Sequence, residues 1–194
     1  MKRFLALVTI CMMPFYGWAK EEKASTVRVL IQSEAGDIEL ELDAAKAPKT
    51  VANFLNYVDG KLFDGGQFHR TVTPKNQPYN KIKIEVIQAA INSGKKDLAP
   101  IQLERTRDTG ILHKDGTISM ARDESDTATS EFFICIGDQP ELDFGGKRNP
   151  DGQGFAAFGK VIKGMDVVKK IQASKAEGQV LKPAISIKRV SRTK

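Results

Sequence analysis

Two short strings hold the residues best suited to chemistry: Phe68-His69-Arg70 and Ser130-Glu131-Phe132-Phe133-Ile134. Together they offer one permanent cation, Arg70, beside an aromatic, apolar surface. A guanidinium stays protonated at physiological pH and presents several donors in a planar fork. A fixed charge against an apolar wall suits a reaction that needs polarisation and exclusion of water without a covalent intermediate. Rotation about an X-Pro peptide bond is such a reaction, with a barrier of about 18–20 kcal/mol set by amide resonance. Rival chemistries lack their residues. There is no glycine-rich phosphate motif, and no Ser-His-Asp arrangement stands out. The two histidines and two cysteines lack zinc-site spacing. Asp123, Glu124 and Asp126 lie close together without the full ligand pattern of a calcium loop. No cofactor and no metal is expected.

The chain of 194 residues is long enough for one domain with a sizeable core. Lys2 and Arg3 precede an apolar run from Phe4 to Phe15, and Gly17-Trp18-Ala19 offers small residues for cleavage. The pattern predicts a secretory signal peptide over residues 1–19, cut after Ala19, and a polar, flexible lead-in over 20–26. The run falls short of the ~20 residues of a membrane span. A lipoprotein signal at Cys11 is disfavoured by the bulky Ile10 before it. Cleavage leaves Cys135 as the one cysteine, flanked by Ile134 and Ile136 and expected as a buried small hydrophobe. Export without a disulfide fits a periplasmic or secreted protein. The net charge of +6 drops to near +4 without Lys2 and Arg3. Basic residues are scattered, with a modest cluster at Lys188, Arg189, Arg192 and Lys194 and no interleaved aromatics. The expectation is no nucleic-acid partner, no membrane anchor and a monomer.

The positioning elements read mostly as strands. Val27, Val29 and Ile31 alternate with polar residues, and after a turn near Ala35-Gly36-Asp37 so do Ile38, Leu40 and Leu42, predicting a hairpin. Pro48 opens a helix with Val51, Phe54, Leu55 and Val58 on one stripe, stopped at Gly60. Residues 74–83 read as an exposed polar loop, and His113 as a loop residue. Phe132 to Ile136 reads as a central strand in which one of Phe132 and Phe133 must face the core. Phe155 to Val161 reads as another. Met165, Val168 and Ile171 predict a second helix from about Asp166, and Ile185, Ile187 and Val190 a last strand. A mainly antiparallel sheet follows, which closure into a barrel would relieve of exposed edges.

The strings APKTVANFLNYVDGKLFDGGQFHR (47 to 70), GTISMAR (116 to 122), SEFFICIGDQPELD (130 to 143) and FAAFGKVIKGMDVVKKI (155 to 171) resemble, in order, those of cyclophilins. Cyclophilins are the cyclosporin-binding peptidyl-prolyl cis-trans isomerases. The resemblance implies a mainly β fold, a closed eight-stranded antiparallel barrel capped by two α-helices, with a proline-binding groove on its outer surface. It implies Arg70 as catalytic residue and Gln88 as a groove glutamine that holds substrate and arginine. Phe133 would form the pocket wall, Leu142, Met120 and Ala121 would be further groove positions, and His69 would be structural.

Departures from the family pattern set further expectations. Gln88 is followed by Ala89-Ala90 instead of two glycines, which could shift the local backbone. The connection from Arg70 to Gln88 is longer than in compact members, so the aromatic pocket wall falls near Glu85 and the adjacent methionine at Val86. The groove asparagine becomes Arg122 and the glutamine before the phenylalanines becomes Glu131, both retained as substrate-binding positions. The tryptophan tied to tight cyclosporin binding falls at Glu141, so weak cyclosporin binding is expected. The pocket histidine has no clear counterpart, because 145–155 carries an insertion. The implied function is a peptidyl-prolyl cis-trans isomerase acting on proline-containing unfolded or extended polypeptides. The alternatives are a weakly active or inactive proline-segment-binding chaperone or scaffold, and a small-ligand barrel, disfavoured by its apolar filling.

Overall fold

The computed structural model describes residues 26–193. The expected signal peptide and residues 20–25 of the lead-in lie outside the described residues. Alternation builds the first hairpin: β1 (Thr26–Ser33) pairs antiparallel with β2 (Asp37–Asp43), from Thr26↔Asp43 to Gln32↔Asp37. Val29, Ile31, Ile38, Leu40 and Leu42 are fully buried on its inner face. α1 (Pro48–Asp59) buries the expected stripe and also Asn53 and Tyr57. It stops at Gly60, after which Lys61 takes a left-handed φ of 53°.

The remaining strands are β3 (Gln67–Val72), β4 (Val86–Ala90), β5 (Thr117–Met120), β6 (Phe132–Cys135), β7 (Ala156–Lys163), β8 (Ala176–Glu177) and β9 (Val180–Arg192). Hydrogen bonding runs β1-β2-β7-β5-β6-β4-β3-β9 and returns from β9 to β1. Every pairing is antiparallel, so the expected eight-stranded barrel is closed, with β8 a two-residue appendage on β9. The last strand starts at Val180, before the expected Ile185, and the penultimate barrel strand runs on to Lys163. The two predicted helices are α1 and α3 (Met165–Gln172), which pack on the barrel; α2 (Thr106–Thr109) is one unpredicted turn between β4 and β5. Among the described residues no helix is long and apolar enough to cross a membrane.

The interior is filled. Phe54 contacts Phe63, Phe132 and Phe158 with ring centroids 5.1–5.5 Å apart, and all four are fully buried. This packing counts against a ligand inside the barrel. A second apolar cluster lies apart from that interior: Val72, Ile84, Val86, Phe133, Cys135 and Leu142, with Ala121 and Phe155 against it. Strand alternation divides the two sets, sending Phe132 and Ile134 inward and Phe133 and Cys135 outward. Burial pushes the Cys135 thiol pKa up, leaving an inert small hydrophobe of the expected kind.

Candidate active site

Arg70 reaches the outer groove because β3 is bulged. Phe68 is fully buried in the interior. In an unbroken strand Arg70, two residues on, would face inward as well. Both ladders of β3 shift register here: Phe68↔Ala89 is followed by Arg70↔Gln88, and Phe68↔Ile185 by Arg70↔Val180. Against β4 His69 is the extra residue, whereas against β9 the excess lies on β9 between Val180 and Ile185, and the irregularity turns His69 and Arg70 together toward the groove. Beyond it, Thr71 donates to the Gln172 carbonyl of α3 at 2.9 Å, and Val72 joins the outer cluster.

Register then sets a row across four strands: Arg70, Gln88, Phe133 and Ser119 are successive partners. Arg70 Nη1 donates to Gln88 Oε1 at 2.8 Å. Its Nε and Nη2 donate to Gln179 Oε1 at 2.9 and 2.6 Å. Gln88 Nε2 donates in turn to the Glu131 carboxylate. Burial draws the guanidinium pKa below its ordinary value, and Glu131 opposes that shift; arginine keeps its charge regardless. Through Gln88 and Ala89 the ladder with β6 stays in register, from Val86↔Cys135 to Ala89↔Phe132.

Gln179 was not anticipated. It follows Gly178, whose φ of 61° makes the turn between β8 and β9. The Thr71 amide donates to its carbonyl at 2.9 Å, and its Nε2 donates to the Asn76 carbonyl at 3.1 Å. Nothing in a Gly-Gln turn so distant in sequence signals a partner for Arg70.

The groove beside Arg70 encloses about 810 Å³. Its apolar part is formed by Ile84, Val86, Phe133, Leu142 and Phe155, with Phe155 edge-on to Phe133 at 5.5 Å and 87°. The expected wall near Glu85 is corrected: Glu85 accepts from Gln172 Nε2 at 3.0 Å, while its strand-alternate neighbours Ile84 and Val86 face the groove. Phe155, which the sequence marks only as a strand residue, is part of the groove. It closes a wall because Gly154, at φ 67°, turns the chain just before β7.

His113 lies in a loop, as expected, but is only 1% exposed. Its ring stacks on Phe133 at 5.9 Å and 16°, with Nδ1 2.7 Å from Asp143 Oδ1 and Nε2 2.9 Å from Ser119 Oγ. It backs the pocket wall from behind.

Of the sequence-predicted positions, Arg70, Gln88, Phe133, Leu142, Ala121 and Glu131 line this one groove. Met120 does not. It pairs with Phe132, shares its inward face and is 1% exposed in the barrel interior. Arg122 also lines the groove, but its guanidinium is already committed to protein partners. It donates to both Asp151 carboxylate oxygens at 2.8 and 2.9 Å and to the Gly154 carbonyl, and lies over the Phe155 ring at 5.2 Å. With its side chain 1% exposed, Arg122 fastens the β6–β7 connection instead of offering a charge to a ligand. A further cation that the sequence did not single out, Arg148, lines the same groove.

Comparison with known proteins agrees with this geometry. Residues 26–192 match the family model for cyclophilin type peptidyl-prolyl cis-trans isomerase/CLD. The chain is 39% identical over 178 residues to peptidyl-prolyl cis-trans isomerase A of Dickeya dadantii, covering 91% of this chain and 87% of that one. It is 32% identical over 146 residues to peptidyl-prolyl cis-trans isomerase B of Escherichia coli, covering 74% of this chain and 83% of that one. The crystal structure of a cyclophilin type isomerase of Cryptosporidium parvum superposes with a TM-score of 0.71 at 20% identity, covering 87% of this chain and 98% of that one. The same protein was crystallised in the presence of the dipeptide Ala-Pro, with a TM-score of 0.70 to this chain. A bulged strand aiming one arginine at an outer apolar pocket, on a closed eight-stranded barrel of matching sequence, makes this chain a member of the cyclophilin-type peptidyl-prolyl cis-trans isomerase family.

Proposed function

We propose that the enzyme isomerises X-Pro bonds in exported, unfolded or extended polypeptides, with Arg70 as the catalytic residue. The observation that carries this reading is the Arg70 guanidinium, held by two glutamine oxygens beside Phe133 in one cross-strand row. Three of its five N–H groups are engaged, which leaves one on Nη1 and one on Nη2 for a substrate. When an X-Pro bond twists, resonance is lost, and the prolyl nitrogen turns pyramidal and gains a lone pair. A donor aimed at that nitrogen stabilises the twisted state more than the planar one, and only such differential binding speeds the reaction.

The apolar walls take the pyrrolidine ring. Phe133, Leu142 and Phe155 exclude water from the amide, which favours the less polar twisted form and strengthens the donated hydrogen bond. Positioned donors of this kind contribute on the order of 10²–10³ in rate, a modest part of the ~18–20 kcal/mol barrier. Gln88 and Gln179 act through Arg70 as positioning residues, while Glu131 and the Ala121 backbone border the bound chain. No step transfers a proton, so His69 has no acid or base to supply. Glu141, whose carboxylate accepts from the Lys147 amide at 2.8 Å, sets a charge where cyclosporin binding favours an aromatic ring, and binding of that drug is expected to be weak. The basic start and apolar run at the N-terminus support action on exported clients.

Exchange NMR on a capped Ala-Pro peptide tests the reading. Acceleration of cis-trans exchange by catalytic amounts of enzyme is the expected result. Saturable binding with unchanged exchange would instead make the groove a holding site.

A further inference from the structure

Arg148 is a second guanidinium in the groove, and prolyl isomerisation as derived above gives it no task. It sits in the β6–β7 connection, where its backbone N–H donates to the Glu141 carbonyl at 3.1 Å. Its Nη1 reaches across to the other long connection, donating to Gln77 Oε1 at 2.9 Å and to the Ile82 carbonyl at 2.7 Å. That seat is firm. Gln77 is 1% exposed, and its Nε2 donates to the Thr73 and Ile84 carbonyls at 2.8 and 2.7 Å. The two connections that depart most from the compact family pattern thus meet at one side chain, and that side chain lines the groove with Arg70, Val86, Phe133 and Leu142.

Its charge is unanswered. Arg70 has Glu131 as a nearby counter-charge. The side-chain partners of Arg148 are an amide oxygen and a carbonyl, both neutral, and among the described residues it enters no salt bridge. Burial and the neighbouring Arg70 cation both pull its pKa down. Two partly desolvated like charges facing one cavity raise each other's energy, and an anion between them relieves both. Among the described residues, Nε and Nη2 of Arg148 have no acceptor. They form the edge of the fork that matches a carboxylate in bidentate fashion.

We propose that Arg148 is a specificity residue that docks the carboxylate of an Asp or Glu side chain flanking the substrate proline. This rests on the groove being the prolyl-peptide site. The enzyme therefore favours acidic segments around proline over neutral ones of the same shape.

The test uses four capped peptides: Ala-Glu-Pro-Ala, Ala-Gln-Pro-Ala, Ala-Pro-Glu-Ala and Ala-Pro-Gln-Ala. Exchange NMR gives kcat/KM, and chemical-shift titration gives Kd, for the wild type, Arg148→Gln and Arg148→Lys. Expected is a preference of roughly fivefold or more for Glu over Gln at one flank at low salt. It should shrink as salt screens the pair, vanish in Arg148→Gln and survive in part in Arg148→Lys. Equal handling of Glu and Gln at both flanks by wild type, or a preference that persists in folded Arg148→Gln, overturns the proposal. The Kd ratio is read even if no peptide is isomerised faster, so failure of the isomerase reading and failure of this one give different results.

Discussion

Arg70 and Gln179 stand 109 positions apart, yet two nitrogens of the guanidinium, Nε and Nη2, converge on the single amide oxygen of Gln179. Gln88 holds the third nitrogen, so the plane of the fork is fixed by two glutamines on opposite sides of β3. The Gln179 end is itself tied to the long connection after β3 through Asn76, whose Nδ2 donates to the Gly178 carbonyl at 3.0 Å.

Removing Gln179 should therefore lower kcat more than it changes binding. A hydrogen bond to a charged group contributes about 1.5–3 kcal/mol, and Gln179→Ala is expected to reduce kcat roughly tenfold with KM near wild type. Gln88→Ala should act alike, and the double variant should lose less than the product of the single losses, as residues in one network do. The Arg70 Nε–H resonance should move in Gln179→Ala. Wild-type kcat with an unmoved resonance would deny Gln179 any positioning role.

Adjacent phenylalanines should fail in different ways. Phe132 is fully buried and meets Phe54 and Phe63 edge-on at 5.5 Å, so Phe132→Ala should cost about 3–5 kcal/mol in a denaturant titration. Phe133 faces the groove. Phe133→Leu should leave the fold intact, with a small loss of stability, while kcat/KM on an Ala-Pro peptide drops several-fold. Reversal of the two phenotypes would mean that the two faces of β6 have been misassigned.

These two residues show how much the sequence reveals. Period-two alternation in Phe132 to Cys135 puts the two rings on opposite faces, because side-chain direction in a regular strand is fixed by parity, and the family resemblance says which ring faces the groove. The same rule places β1 and β2, and the helical period of 3.6 places the stripe of α1. It fails where regularity fails. Arg70 shares parity with Phe68, and only the bulge at His69 carries it to the outer face. No residue type announces that bulge; the family resemblance supplied Arg70 where periodicity alone would have buried it. Met120 was misplaced for the opposite reason, since its regular pairing with Phe132 sends it inward. Gln179, His113 and Arg148 enter the site from turns and long connections, where contact depends on loop geometry and leaves no periodic trace.

Acid should loosen the β6–β7 connection. The hydrogen bonds from Arg122 hold the Asp151 carboxyl below its ordinary value of 3.8. A depressed folded-state pKa stabilises the protein fully above the unfolded value, and that contribution is lost as pH falls through the folded one. The Tm gap between wild type and Asp151→Asn should be complete at about pH 6 and should close below about pH 4. A gap that stays constant down to about pH 2, or widens on acidification, would show that the pair does not contribute in this way.

Export makes a simple prediction. Expressed in full in a Gram-negative host, the protein should appear in the periplasmic fraction with Lys20 as its first residue. An intact Met1 terminus confined to the cytoplasm would refute the signal-peptide reading.

The central claim is that the Arg70 guanidinium stabilises the twisted prolyl bond and does more than hold the peptide. The direct measurement is exchange NMR on one Ala-Pro peptide with wild type, Arg70→Ala and Arg70→Lys, with Kd taken from the same titrations. The account predicts that Arg70→Ala stays folded and binds within a few-fold of wild type, yet loses about 10²–10³ in catalysed exchange. Lysine, a point charge without the fork, should recover little of it. Wild-type exchange rates in Arg70→Ala, or a loss wholly explained by weaker binding, would contradict it.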